Sequence, residues 1–312
     1  MRKEMLIYVV KRLVMCFVTI IVVITATFFL MNAVPGGPFL GEKAISQSVL
    51  DVLYAKYGLD QPLIVQYWNY LKGALIFDFG PSLKQKGREV IEIINDGFKT
   101  SLPIGLIAGL LALGFGTFLG SLAAVKHNKV IDRIIMIFST ASVAFPSFII
   151  ASVLLYVFCT ALGWLPANGI TTSGDYRGYI LPIITLSLYP TAYITRLTRS
   201  STLDVLNSDY IRTAKAKGVS KSKILFKHAL RNSLTPVITY AGPMFASIIT
   251  GSLVVEQIYS IPGLGRTFIK SITGRDYPLI MGSTIFLTVI VIFLILVCDI
   301  LYKVANPRVE LE

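Results

Sequence analysis

The chain has 312 residues, of which 54% are hydrophobic and 15% are charged, and its mean hydropathy is +0.70. This composition excludes an ordinary soluble domain and favours an integral membrane protein. The formal net charge is +12, from 29 basic and 17 acidic residues. Because the basic residues are concentrated beside the apolar runs, we attribute them to membrane topology and expect no nucleic-acid partner.

Apolar runs of spanning length predict six transmembrane helices, and the protein is therefore expected to be all-α. They cover about residues 9–33, 99–125, 134–162, 179–199, 233–255 and 279–303. The first run follows a basic N-terminus and is too long for the core of a signal peptide, so an uncleaved first helix is expected. Six spans, with basic residues concentrated in the inner segments, predict that both termini are cytoplasmic.

The chain divides into three predicted parts: residues 1–33, 34–98 and 99–312. The middle part is extracytoplasmic on the predicted topology. It contains the amphipathic stretches AISQSVLDVLYAKYGL and QPLIVQYWNYLKGAL, followed by a shorter one, GREVIEIINDGF. These predict a small helical segment between the first two spans. Two interpretations remain open: a cap that shields a pathway or receives a partner, and a surface addition with its own small core.

The spans carry signals for packing rather than for chemistry. Two pairs of glycines in the second span, at 105/109 and 116/120, predict close approach of neighbouring helices. Asp299, near the cytoplasmic end of the last span, is interpreted as a helix anchor. Several prolines are expected to bend or interrupt the spans: Pro146, Pro182, Pro190, Pro236 and Pro243.

No pattern in the sequence predicts an enzyme. The chain contains no HExxH, no GxSxG and no phosphate-binding GxxxxGK[ST] motif. Its three cysteines, Cys16, Cys159 and Cys298, are widely separated in apolar runs, which favours buried thiols over a zinc site or a disulfide framework. We therefore predict no catalytic residue, no metal ligand and no cofactor bound by this chain.

The most informative stretch is loop 204–236, which lies between the fourth and fifth predicted spans. From Arg212 to Arg231 it holds seven basic residues and no acidic one. The pattern predicts a helix from Leu203 to Lys217, ended by Gly218 in a left-handed conformation. Ser220 is then expected to cap a second helix that ends near Leu230. A simple topology anchor is the alternative interpretation of this basic loop.

Loop 204–236 resembles the coupling loop of permease subunits of ABC importers, whose signature is Glu-Ala-Ala, three residues, Gly, and later Ile-x-Leu-Pro. Arg212-Thr213-Ala214 stands at the Glu-Ala-Ala position and Gly218 at the Gly. His228 and Leu230 stand at the Ile and Leu positions, while Arg231 replaces the Pro. The variant RTAKAKG with KHALRNSLTP is similar to the branch that imports peptides. MNAVPGGPF, YLKGALIFDFGPSLK, VAFPSF, ITGSLVVEQIYSIPGLG, GRDYPL and DILYKVANPR extend this resemblance along the chain.

The resemblance implies the type I importer permease fold and a place in the bacterial cytoplasmic membrane. It implies five kinds of partner: a second homologous permease subunit in a heterodimer, two cytoplasmic ABC ATPases that use ATP and Mg²⁺, an extracytoplasmic peptide-binding protein, peptide substrate and membrane lipid. It also implies that loop 204–236 contacts the ATPases. The residues assigned to that contact are Asp209, Arg212, Thr213, Ala214, Ala216, Lys217, Gly218, Ser220 and His228.

Other functions stay open from the sequence. Relatives with dipeptide or nickel-chelate cargo would look similar, and a proton-driven secondary transporter is a more distant alternative that needs ionisable residues within its spans. An intramembrane hydrolase would lack its catalytic residues. If substrate passes between two permease subunits, Ser247, Thr250 and Ser252, placed on one helix of the fifth span, are the candidates to line its pathway.

Overall fold

The computed structural model describes residues 2–35, 37–39, 47–167, 176–220 and 223–305. Within the helices, the description leaves out the side chains of residues 2–9, 47, 49, 226–228, 299 and 301–305. The described residues are mostly helical, and they hold no β-strand beyond one isolated bridge between Pro81 and Glu89. They fall into two compact units, the first within Met1–Lys99 and Gly263–Ile292, the second within Thr100–Pro262 and Phe293–Glu312.

The first unit combines the first predicted span with the segment that follows it. It contains α1 (Arg2–Ala33), α2 (Gln47–Lys56), α3 (Leu63–Leu75), α12 (Leu264–Gly274) and the first part of α13 (Tyr277–Ala305). Its core includes Ile24, Leu71, Phe79, Ile94 and Leu279. Helix α1 packs on α3 through this shared core.

The second unit contains the remaining helices. They are α5 (Val130–Ala144), α6 (Ser147–Leu155), α7 (Ile180–Leu206), α8 (Asp209–Ala216), α9 (Leu230–Ser233), α10 (Thr235–Ile249) and α11 (Leu253–Ile258), with the greater part of α4 (Val90–Val125). Two π-helical segments, Tyr156–Ala161 and Ile224–Ala229, extend α6 and precede α9, and a 3-10 turn at Tyr176–Tyr179 precedes α7.

The glycine pairs of α4 bring neighbouring helices close, as predicted. A Cβ placed on Gly105 would lie 2.8 Å from the Cα of Ile249 in α10, and one on Gly116 would lie 2.7 Å from the Cβ of Ile194 in α7. Such distances are shorter than van der Waals contact between two carbon atoms, so these positions have room only for the hydrogen side chain of glycine. The second glycine of each pair continues the same contact, Gly109 against Phe245 and Gly120 against Thr195.

Five helical segments in the described residues are long and apolar enough to cross a membrane, and the number is six if one bent pair counts as a span. The bent pair is the third predicted span. There α5 and the helix from Ser147 to Ala161 meet at an angle of 102°. Phe145 and Pro146 have extended ψ angles of 128° and 140° at the break. A proline disfavours helical backbone in the residue before it, and the interruption predicted at Pro146 is confirmed.

Two further boundaries differ from the prediction. Helix α4 begins at Val90, so the amphipathic stretch before the second span is part of it. Its 36 residues correspond to about 54 Å, more than the roughly 30 Å of a bilayer core. The fifth predicted span is interrupted after Ile249, because Gly251 has a left-handed φ of +89° and Ser252 then caps α11. Of the named prolines, Pro190 and Pro243 lie inside continuous helices.

Candidate functional site

Loop 204–236 begins with a break that the sequence analysis missed. Helix α7 ends at Leu206, and α8 starts at Asp209 after Ser208, whose backbone is extended. The Ser208 hydroxyl donates a hydrogen bond of 2.6 Å to the carbonyl of Val205. Asn207 and Ser208 are residue types whose side chains compete for backbone hydrogen bonds and so favour helix ends. The single helix predicted from Leu203 to Lys217 is therefore wrong.

The end of α8 follows the prediction closely. Gly218 has a φ of +75°, in the left-handed region. Its N–H donates to the carbonyl of Lys215 at 3.0 Å, and the N–H of Val219 donates to that of Ala214 at 3.2 Å. These two bonds form a complete Schellman motif, which satisfies carbonyls that a helix end otherwise leaves unpaired. The glycine thus sets the direction in which the chain leaves α8.

Helical backbone resumes soon after the glycine and continues into the fifth span. The N–H of Ile224 donates to the carbonyl of Ser220 at 3.0 Å. The π-helical segment 224–229, α9 and α10 then follow with only Leu234 between the last two. The end predicted near Leu230 is wrong, since the second helix joins the span. Residues 221 and 222 lie outside the described part of the chain.

Buried contacts attach the loop to the rest of the second unit. Ile211 on α8 is fully buried and Ile224 nearly so. The hydroxyl of Thr202, at the end of α7, donates to the hydroxyl of Ser233 at 3.1 Å, and both residues are buried. The amide of Asn232 donates to the Tyr210 hydroxyl at 2.9 Å. Movement of α8 would therefore be transmitted to α7 and to the start of the fifth span.

The opposite face of the loop is exposed and mainly basic. Arg212 and Asp209 form an exposed ion pair of 3.4 Å, three residues apart on α8. Ala214 is half-buried, and the side chain of His228 is outside the described part. The other residues assigned to the ATPase contact share one property, exposure to solvent: Asp209, Arg212, Thr213, Ala216, Lys217, Gly218 and Ser220.

An ion pair near this loop was missed by the sequence analysis. The buried carboxylate of Asp132, on α5, accepts hydrogen bonds from Arg199 Nε at 2.6 Å and Nη2 at 2.8 Å. The N–H of Asn128 adds a third at 2.9 Å, and His127 Nδ1 lies 3.1 Å from Arg199 Nη2. On sequence alone, Arg199 is one of several basic residues at the end of an apolar run, with no partner indicated. A carboxylate in the first turn of an apolar helix was the signal available for Asp132.

A second buried carboxylate belongs to Glu256 on α11. It is 3% exposed and accepts a hydrogen bond of 2.6 Å from the hydroxyl of Ser101, on α4. Nearby in the same unit, the Tyr259 hydroxyl donates to the carbonyl of Ala151 at 3.1 Å and lies 3.0 Å from the hydroxyl of Thr185. The sequence signal was one acidic residue inside the run SLVVEQIY, which received no role.

The three pathway candidates do not share one helix. Thr250 follows the last residue of α10, and Ser252 is the N-cap of α11, where its hydroxyl accepts the N–H of Val255 at 3.3 Å. The hydroxyl of Ser247 donates to the carbonyl of Met244 at 2.9 Å, and that of Thr250 to the carbonyl of Ala246 at 2.8 Å. The helix break at Gly251 is the reason that Ser252 does not lie on the same helix as Ser247. Of the three, Ser247 is the exposed one.

Similarity to known proteins identifies the family. A sequence model described as "Binding-protein-dependent transport system inner membrane component" matches residues 116–311, and one for the N-terminal part of such components matches residues 5–102. The dipeptide transport system permease protein DppB of Bacillus subtilis (strain 168) is 44% identical over 305 residues, 98% of each chain. The chain belongs to this permease family.

Other comparisons agree with this assignment. The oligopeptide transport system permease proteins OppB of Haemophilus influenzae and Salmonella typhimurium are 43% and 41% identical to the permease, over 98% of its length and 100% of theirs. A structure of the MetNI methionine ABC transporter matches 69% of the permease and 97% of the matched chain, with a TM-score of 0.55 and 18% identity. The permease therefore has the ABC importer fold, and it is a multi-pass membrane subunit of an ATP-driven importer.

Proposed function

We propose that the permease forms half of a peptide translocation pathway in the bacterial cytoplasmic membrane, with both termini cytoplasmic. The observation that carries the coupling part of this proposal is the geometry of loop 204–236. The Schellman motif at Gly218 sets the direction in which the chain leaves α8. One side of the loop is exposed and basic, and Ile211 and Ile224 are buried on the other. Such a surface can receive a partner ATPase and pass its movement to the spans.

The proposed partners complete an importer around this subunit. They are a second homologous permease in a heterodimer, two cytoplasmic ABC ATPases, an extracytoplasmic peptide-binding protein and the surrounding lipid. ATP and Mg²⁺ would be used by the ATPases. Peptide cargo is supported by the names of the relatives, a dipeptide permease at 44% and oligopeptide permeases at 43% and 41% identity. The described residues hold no group of three or more His, Cys, Asp or Glu that could bind a metal ion, which favours peptides over a bare metal cargo.

The test is reconstitution of the permease with these partners in proteoliposomes. We expect a labelled short peptide to accumulate only when ATP, both ATPases and the peptide-binding protein are present. Omitting the peptide-binding protein is the matched control. Uptake driven by a proton gradient in the absence of ATP would contradict the proposal.

For the pathway, Ser247 is the candidate that the structure leaves exposed on α10. Its neighbour Ala246 is 3% exposed and provides a matched buried control. We expect a cysteine at 247 to react with a water-soluble maleimide at a rate that changes when ATP is trapped in the complex. We expect Ala246→Cys to stay unreactive. Equal labelling of Ser247→Cys in both states would remove it from the gated pathway, and Thr250→Cys and Ser252→Cys extend the test across the helix break.

A further inference from the structure

A cavity in the first unit is not accounted for by coupling or by packing. It has a volume of about 290 Å³ and lies among α1, the turn between α2 and α3, α3 itself, loop 79–83 and the start of α13. Aromatic side chains form much of its wall, namely Phe28, Tyr57, Tyr70, Phe79 and Tyr277. Its size approaches the lower limit of ordinary small-ligand sites.

Two hydroxyl groups in this wall are buried and lack a partner. They belong to Tyr70 and Tyr277, and neither makes a hydrogen bond in the described part of the chain. Tyr277 as a whole is only 9% exposed. Burial raises the pKa of Tyr70, so that its hydroxyl keeps its proton and remains a donor. Buried polar groups are nearly always paired, so two unpaired hydroxyls on residues that line a cavity are donors left for a group that enters it.

The wall is held in place before anything binds. The carboxylate of Asp276, immediately before α13, accepts hydrogen bonds from the hydroxyl of Ser82 and from the N–H of Leu83, the second at 3.1 Å. On the other side, the amide of Gln66 donates to the carbonyls of Leu59 at 3.2 Å and Gln61 at 2.7 Å. The ring of Phe28 stacks on that of Tyr70 with centroids 5.8 Å apart. A preformed site loses little entropy on binding.

The chemistry of the wall limits what it can bind. None of the described lining residues is Asp, Glu, Lys or Arg, and the polar ones besides the tyrosines are carboxamides such as Asn32 and Asn69. A charged group would lose its hydration there without gaining a counter-ion. Aromatic rings favour an apolar or aromatic body, and the two phenols require an acceptor such as an amide carbonyl.

We propose that this cavity binds an uncharged portion of a peptide, an apolar or aromatic side chain together with its adjacent backbone carbonyls. The inference rests on the proposed function, because that function supplies peptides and places segment 34–98 outside the cell. The apolar side chain lies against the rings, and the hydroxyls of Tyr70 and Tyr277 donate to the carbonyls. The cavity then acts as a receiving site for peptide on the extracytoplasmic side, separate from loop 204–236.

The test uses the intact importer complex in lipid nanodiscs and two small probes. N-acetyl-L-phenylalaninamide is uncharged, whereas N-acetyl-L-phenylalanine carries a carboxylate. Binding is followed by saturation-transfer NMR in competition with the peptide substrate. We expect the amide to bind and the carboxylate to bind more weakly. Tyr70→Phe and Tyr277→Phe should each weaken binding of the amide about 3- to 10-fold, the range expected for one lost hydrogen bond.

Two controls distinguish the loss of a hydrogen bond to the probe from the loss of folded structure in a variant. Each Tyr→Phe change deletes a buried hydroxyl that has no partner among the described residues, so the melting temperature should stay the same or rise. Tyr176→Phe, at an 80% exposed tyrosine in the second unit, should leave probe binding unchanged. Failure of the amide to bind, or equal binding by all variants, would overturn the proposal.

Two other outcomes are also decisive. If the tyrosine variants weakened docking of the peptide-binding protein but not binding of the amide, the occupant would be that protein, and the peptide proposal would fall. If wild-type complex bound the amide but transported no peptide, the proposed function would fail while the cavity assignment remained. The two proposals can therefore fail independently.

Discussion

Gly218 is the residue on which the geometry of loop 204–236 depends. Its φ of +75° is unfavourable for an L-residue by about 1–2 kcal/mol and more so for a β-branched one. Within the described part of the chain, a Cβ at this position would meet nothing within 4 Å. The unfavourable backbone conformation is therefore the effect that we expect of a substitution within this chain.

We therefore expect Gly218→Val to reduce peptide uptake strongly and Gly218→Asn to retain much of it, since Asn tolerates the left-handed region. Uptake and co-purification of the ATPases are the two measurements. Lys223→Ala, at an exposed position, is the control and should change uptake little, because an exposed charge contributes about 0–1 kcal/mol. Equal, normal uptake by the Val and Asn variants would leave the loop as a topology anchor only.

The ion pair of Asp132 and Arg199 leads to a prediction about stability. The side chain of Asp132 is 4% exposed and that of Arg199 is 21% exposed. Removing the arginine would leave a buried carboxylate with the N–H of Asn128 and the half-exposed His127, whose Nδ1 is 3.5 Å away, at a cost of about 3–5 kcal/mol. We expect Arg199→Met to lower the melting temperature of the detergent-purified protein substantially.

A double-mutant cycle provides the control. Asp132→Asn combined with Arg199→Met removes both charges and should be more stable than Arg199→Met alone. His127→Ala should have a small effect, since that side chain is 46% exposed. If the double variant were as unstable as the sum of the two single variants, the pair would not act as a unit.

At the scale of elements, helix α4 offers a matched pair of substitutions. A Cβ on Gly120 would lie 2.5 Å from the carbonyl oxygen of Thr195, whereas one on Gly114 would meet nothing within 4 Å. Gly120→Ala should destabilise the protein by about 1–3 kcal/mol through overpacking. Gly114→Ala should be neutral or stabilising by up to about 1 kcal/mol, because alanine favours helix. Thermal unfolding of both variants would show the difference, and equal melting temperatures would contradict close packing of α4 on α7.

Helix positions were predicted well from the sequence, and helix interruptions only in part. Long apolar runs identify spans because a helix must cross the apolar layer of the bilayer, and Gly218 is recognisable because glycine readily adopts the left-handed conformation. The break at Pro146 was predicted, but Pro190 lies within a helix, and the break at Gly251 occurs inside an apolar run whose composition does not change. Whether a helix bends at such a residue depends on the packing around it.

The candidate site also has some features that the sequence predicts and others that it does not. Its exposed residues, such as Arg212 and Lys217, follow a local pattern and could be named in advance. The contacts that hold it, Thr202 with Ser233 and Asp132 with Arg199, join residues 31 and 67 positions apart. A single sequence does not contain the pairing of such distant residues. The same reason explains why the buried carboxylate of Glu256 and its partner Ser101, 155 positions away, received no role.

For the molecule as a whole, the permease should depend on its partners for energy. The sequence has no phosphate-binding loop. We expect the purified chain to hydrolyse no ATP and to bind none, and ATPase activity to appear on addition of the two ATPase subunits. Radioactive phosphate release is the measurement, with a variant of the ATPase lacking its phosphate-binding lysine as control. ATP hydrolysis by the chain alone would contradict the prediction that only the partner subunits hydrolyse ATP.

The uninterrupted course of the backbone from loop 204–236 into the fifth span has a mechanical consequence. Residues 223–249 are helical except for Leu234, and 27 such residues measure roughly 40 Å at about 1.5 Å each. A rod of that length is a lever, and a tilt of about 5° would displace its far end by about 3.5 Å. The far end is the break at Gly251, just before α11. A small tilt imposed at the loop end would thus become a sideways displacement of several ångströms near Ser252.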